Sequence, residues 1–130
     1  MRLIALAIVL GVVACGGAGA PLPSALATPI PGAVLVTRAN DRGTVQARAG
    51  ETIQVALGTE FEWRVDPPDG VVLVRAARTS PTGRGTQAVF TAAAAGTSTI
   101  TATGTVICPS GQACIMIAIL FTTTVVVSPR

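Results

Sequence analysis

Residues 52–70 read "TIQVALGTEFEWRVDPPDG", and the spacing of apolar residues in this stretch decides the fold class. From Thr52 to Leu57 the pattern alternates with period two, which predicts a strand with Ile53, Val55 and Leu57 toward a core and Gln54 toward water. Gly58-Thr59 breaks the run. Phe61-Glu62-Trp63-Arg64-Val65 then alternates more sharply, with Phe61, Trp63 and Val65 inward and the two charges outward. Asp66-Pro67-Pro68-Asp69-Gly70 is a turn, since proline presets φ, aspartate bonds nearby backbone and glycine accepts φ > 0.

The same signature extends in both directions. Residues 33–37 and 43–48 are short strand candidates, followed by the turn Ala49-Gly50-Glu51. Residues 71–76 form another strand, and after the loop 78–85 the run 86–92 places Ala88, Phe90 and Ala92 inward. Ala95-Gly96 marks a turn, and 97–107 and 115–127 are two long strands. Such spacing predicts an all-β domain, an Ig-like antiparallel β-sandwich of about seven strands over residues 33–130. Phe61, Trp63 and Phe90 are its expected aromatic core. For Trp63, the only tryptophan, a core position is preferred over a ligand-stacking one.

The N-terminus is of another kind. Arg2 precedes an apolar run from Leu3 to Ala14, too short to span a bilayer as a helix but suited to a signal peptide. The run ends in Val12-Val13-Ala14-Cys15, which resembles the lipobox of bacterial lipoproteins. That resemblance implies a signal peptide over 1–14, acylation of Cys15, export, and attachment to the outside of a bacterial cell membrane. Residues 15–32, with prolines at 21, 23, 29 and 31, read as a flexible, partly stiffened tether. The alternative is an ordinary secretory signal with an incidental cysteine.

Composition excludes much chemistry. The chain has 130 residues, nine arginines, six acidic residues and neither histidine nor lysine. Without histidine there is no Ser-His-Asp or Cys-His constellation, and without lysine no Schiff base. Glu60 and Glu62 read as a solvated face rather than an acid/base pair. Asp66 and Asp69 are two oxygens-donors in a turn, well short of a calcium site, and Asx-turn bonding accounts for them. The arginines are scattered without interleaved aromatics, so no nucleic-acid partner is expected. No metal or cofactor is expected, and the reading is of a monomeric non-enzyme.

"GTVICPSGQACIMI", residues 104–117, sets Cys108 and Cys114 around a short polar loop. Two cysteines alone do not complete a metal site, and the spacing is not C-x-x-C. In an exported protein the pair reads as a disulfide closing a hairpin tip.

Residues 43–127 resemble the chagasin-like inhibitors of cysteine proteases, through "GTVQARAGETIQVAL", "FEW", "GTQAVFTAAAAGTSTITATG" and "FTTTVVV". The resemblance implies an Ig-like sandwich that meets a protease with three loops at one end. Where that family's first loop has Asn-Pro-Thr-Thr-Gly, this chain has Gly58-Thr59-Glu60. Gly83-Arg84-Gly85 stands in the glycine-rich second loop. Pro109, Ser110, Gly111 and Gln112 occupy the third, in place of Arg-Pro-Trp. These are the candidate partner-binding residues. Two readings stand: an envelope-anchored binding or structural domain, and an inhibitor of papain-type cysteine proteases.

Overall fold

The computed structural model describes residues 27–76 and 84–130. The expected signal segment, Cys15 and Gly83 lie outside the described residues. Eight strands follow in order: β1 (Val34–Thr37), β2 (Thr44–Arg48), β3 (Thr52–Ala56), β4 (Phe61–Val65), β5 (Leu73–Arg75), β6 (Ala88–Ala92), β7 (Gly96–Val106) and β8 (Ala118–Ser128). They form two four-stranded sheets, one ordered β1-β3-β6-β5 and the other β2-β8-β7-β4. The core lies between them, as a β-sandwich requires. Ile53 and Val55 on β3, Phe90 on β6, Phe121 and Val125 on β8 are all buried there.

The long strands β7 and β8 are rich in threonine and valine, whose branched side chains suit a pleated surface. Their burial alternates as the period-two pattern predicts. Ala102 pairs with Phe121 and Ile100 with Thr123 across the ladder, and all four face the core.

Two pairings depart from the antiparallel expectation. β1 runs parallel to β3, and β2 runs parallel to β8. The cause is the segment between β1 and β2, which carries the chain from one sheet to the other instead of turning back as a hairpin. One turn of 3-10 helix, Arg38–Asn40, begins this crossing. The crossing is then pinned to β8: the Thr122 N–H donates to Asp41 Oδ1 at 3.0 Å, and the Arg42 N–H donates to the Thr122 carbonyl at 2.6 Å.

Gln54 is a second departure. It does alternate away from Ile53 and Val55, yet it is fully buried rather than solvated. Residues 27–30, inside the stretch expected to be tether, lie over this outer face of β3 as a strap. The Ile30 N–H donates to Gln54 Oε1 at 2.8 Å, and Gln54 Nε2 donates to the Thr28 carbonyl at 3.0 Å. Ala27 at the start of the strap is buried as well. A buried amide needs such partners, and here the strap supplies them.

Trp63 packs against the core from its rim. β4 is an edge strand, so Phe61, Trp63 and Val65 are half-buried, whereas Phe90 is fully buried. The indole covers its ladder partner Gly104, where an added Cβ would come within 2.9 Å of the ring. Gly104 therefore leaves room for the tryptophan.

Candidate functional site

The strand directions place the connections. β3 and β5 run one way and β6 the other, so the β3–β4 connection (loop 1, residues 57–60) and the β5–β6 connection (loop 2, residues 76–87) leave the same end. The ladder partner of Phe61, the first residue of β4, is Val106, the last residue of β7. The β7–β8 connection (loop 3, residues 107–117) thus emerges at that end too, here called the upper end. The candidates Gly58, Thr59, Glu60, Arg84, Gly85, Pro109, Ser110, Gly111 and Gln112 all belong to it.

Loop 1 is short because it only bridges the sheets. Gly58 turns the backbone out of the β3 ladder with a φ of +93°, a conformation that suits glycine. That exit leaves the Leu57 N–H and the Gly58 carbonyl without strand neighbours, and Gln87 takes up both. The Leu57 N–H donates to Gln87 Oε1 at 2.6 Å, while Gln87 Nε2 donates to the Gly58 carbonyl at 2.7 Å. Loop 2 thus grips loop 1 directly. Sequence alternation could not reveal Gln87, since nothing in its neighbours marks which backbone groups it reaches.

Arg38, from the turn after β1, holds the far side of loop 1. It forms a 2.7 Å ion pair with Glu60, and its guanidinium lies 5.3 Å from the Phe61 ring centroid and 6.0 Å from that of Trp63. The two rings meet edge to face at 5.8 Å. Ion pair and cation–π contacts at an exposed site each contribute modestly, about 1 kcal/mol or less. Glu60 is thereby engaged with Arg38, away from Glu62 on the outer face of β4. A shallow groove of about 230 Å³ runs between Arg38 and Leu57, Gly58 and Glu60.

Loop 3 differs in character. Cys108 and Cys114 form a disulfide with Cα atoms 5.8 Å apart. Within it Gly111 has a φ of +83°, and the Gln112 N–H donates to the Pro109 carbonyl. Behind this polar apex stands an apolar collar: Ile107, Ile115, Met116, Ile117 and Leu120 are exposed, Met116 by 94%. No charged residue occurs from Gly85 to Pro129. Large exposed apolar side chains gathered in one stretch are of the kind that marks interaction sites on folded proteins. Ile115, Met116 and Ile117 escaped sequence reading because "IMIAILF" has the length and composition of a buried strand, and only the strand's late start at Ala118 leaves them in the loop.

The lower end carries turns. Asp69 Oδ1 accepts the N–H groups of Val71, Val72 and Leu73 at 2.9, 3.0 and 3.1 Å, the Asx bonding expected of this turn. The Ser98 hydroxyl and these N–H groups hold the Asp69 carboxyl below the ordinary carboxylate value. Among the described residues no cluster of His, Cys, Asp or Glu could hold a metal ion.

No known protein family's profile matches the chain, and no curated protein matches it either. Among solved structures, the crystal structure of the cysteine protease inhibitor EhICP2 from Entamoeba histolytica is similar, with a TM-score of 0.52 at 16% identity. The match covers 73% of this chain and 94% of that one. The solution structure of amebosin matches 74% of this chain and 98% of its own at 20% identity, with a TM-score of 0.49. The likeness to EhICP2 is one of fold, in keeping with the scaffold that the sequence resemblance implied.

Proposed function

We propose that this chain is a non-enzymatic inhibitor of papain-type cysteine proteases, exported and held at a bacterial membrane surface by acylated Cys15. The observation that carries this reading is the gathering of loops 1, 2 and 3 at the upper end. That arrangement matches the three-loop edge implied by the sequence resemblance, and EhICP2, whose fold the chain shares, is itself a cysteine protease inhibitor. Inhibition of this kind needs no reacting group, only a shape that fills a cleft. The absence of histidine and lysine from the sequence is compatible with such a role.

Titration of papain with the purified chain tests it. Inhibition tighter than about 1 μM is expected, and weaker blockage removes the protease as partner. Anchoring has its own test: Cys15→Ala should abolish acyl labelling and leave the leader uncleaved, and unchanged labelling and processing would refute the lipoprotein assignment. A second reading, an envelope-anchored Ig-like binding or structural domain with a different protein partner, is favoured by loop 3. Its disulfide and apolar collar stand where the inhibitors carry Arg-Pro-Trp.

A further inference from the structure

Loops 1 and 2 share more than an end of the sandwich. Gln87 is tied to the departing β3 strand at three points: its side-chain amide spans Leu57 and Gly58, and its own N–H donates to the Val55 carbonyl at 2.9 Å. Next to it, Thr86 Oγ1 accepts a 2.9 Å hydrogen bond from Gln54 Nε2, the amide that also holds the strap at Thr28 and Ile30. A continuous run of hydrogen bonds therefore joins strap, β3, loop 2 and loop 1.

We propose that Gln87 is a positioning residue that makes loop 1 and the end of loop 2, residues 84–87, a single unit, presented to a partner in one fixed arrangement. The residue type follows from the task. One group must accept from an N–H and donate to a carbonyl on adjacent residues, which a side-chain amide does and a carboxylate or alkyl group does not. Both backbone groups have left the ladder, and without Gln87 they would depend on water. A preordered edge binds more tightly because less freedom is lost on association. The consequence for binding rests on the inhibitor reading; the coupling of the loops is a property of the free protein and is measured there.

Amide hydrogen exchange and backbone relaxation on the purified chain, with papain inhibition alongside, form the test. Gln87→Leu removes both bonds, so the Leu57 amide should exchange about tenfold faster, the effect of losing one hydrogen bond of ordinary net strength. The amides of Phe90 and Val125 in the core should not change. Papain inhibition should weaken by about tenfold in the same variant. Gln87→Glu keeps the acceptor but loses the donor. It should hold Leu57 protection within about twofold while loosening Gly58 and Thr59. Unchanged Leu57 exchange in Gln87→Leu overturns the proposal, as does equal acceleration at Phe90 and Val125. Should Gln87→Leu not fold, Gln87→Glu decides: a Gly58–Thr59 segment as rigid as in the parent overturns it. If the parent chain leaves papain active, the inhibitor reading falls, and the exchange data still judge the loop coupling.

Discussion

The two ends of the sandwich are built differently. At the lower end backbone bonds stitch each connection to a neighbour, with the Asp69 side chain added at one turn: Gly50 N–H to the Ala92 carbonyl, Ala92 N–H to the Glu51 carbonyl, and Ala93 N–H to the Val72 carbonyl. Arg130 Nε closes the same end on the Ala49 carbonyl at 2.9 Å. At the upper end loop 1 is held by side chains, through Gln87 and Arg38, and loop 3 is closed by its disulfide. Backbone stitching tolerates most side chains and gives a stable base. Side-chain fastening leaves loop 1 dependent on a few particular residues.

The largest effect should come from the boundary between core and upper end. Trp63→Ala should cost about 3 kcal/mol in denaturant unfolding, toward the lower limit for a large aromatic because the ring is half-buried. Trp63→Phe should cost much less, since the buried indole Nε1 has no hydrogen-bond partner among the described residues. If the two variants are equally damaging, the indole does more than fill space over Gly104.

Replacing both cysteines of loop 3 by alanine comes next. Closing so short a loop contributes about 2 kcal/mol in the chain-entropy model, measurable as a lowered unfolding midpoint. Asp69→Ala probes the lower end and should cost about 1 kcal/mol, the ordinary worth of a side chain bonding exposed N–H groups. Its pH dependence has a definite sign. The Asp69 carboxyl lies below its unfolded value, so its contribution is complete above that ordinary value and is lost as pH falls through the lowered one. Asp69→Asn should therefore flatten that part of the acid limb of a stability–pH curve.

The smallest effect on stability should be Met116→Ser, within about 0.5 kcal/mol, because the side chain is almost wholly exposed. If the proposed inhibitor edge includes loop 3, its effect on binding should be the reverse, a loss of inhibition without loss of fold. A Met116→Ser chain that inhibits papain as the parent does would show that the apolar collar faces away from the protease.

Much of the sandwich was legible because period-two alternation depends only on neighbouring residues. The strands around Ile53, Phe61 and Phe90 needed nothing else, and the closure of "CPSGQAC" followed once export was read from the N-terminus. What escaped depends on distant chain. Gln54 looked solvent-facing because its cover, residues 27–30, lies more than twenty positions away in a stretch punctuated by prolines. The parallel pairings escaped for the same reason, since β1 and β2 pair with strands that do not follow them directly in the chain. At the upper end the loops could be named from sequence, while the clasp that ties loop 1 to Gln87 could not.

The parallel pairing of β2 with β8 also bears on how the molecule is made. Gly43 and Thr123, joined by a hydrogen bond at this junction, are 80 positions apart, and β2 has no other neighbour in its sheet. A ribosome delivers the chain from its N-terminus, so β2 waits for almost the entire polypeptide before its edge is covered. Such long-range closure slows folding. A chain cut short before β8 would leave β2 and the open side of β7 bare together, giving a fragment prone to aggregate rather than a smaller working domain.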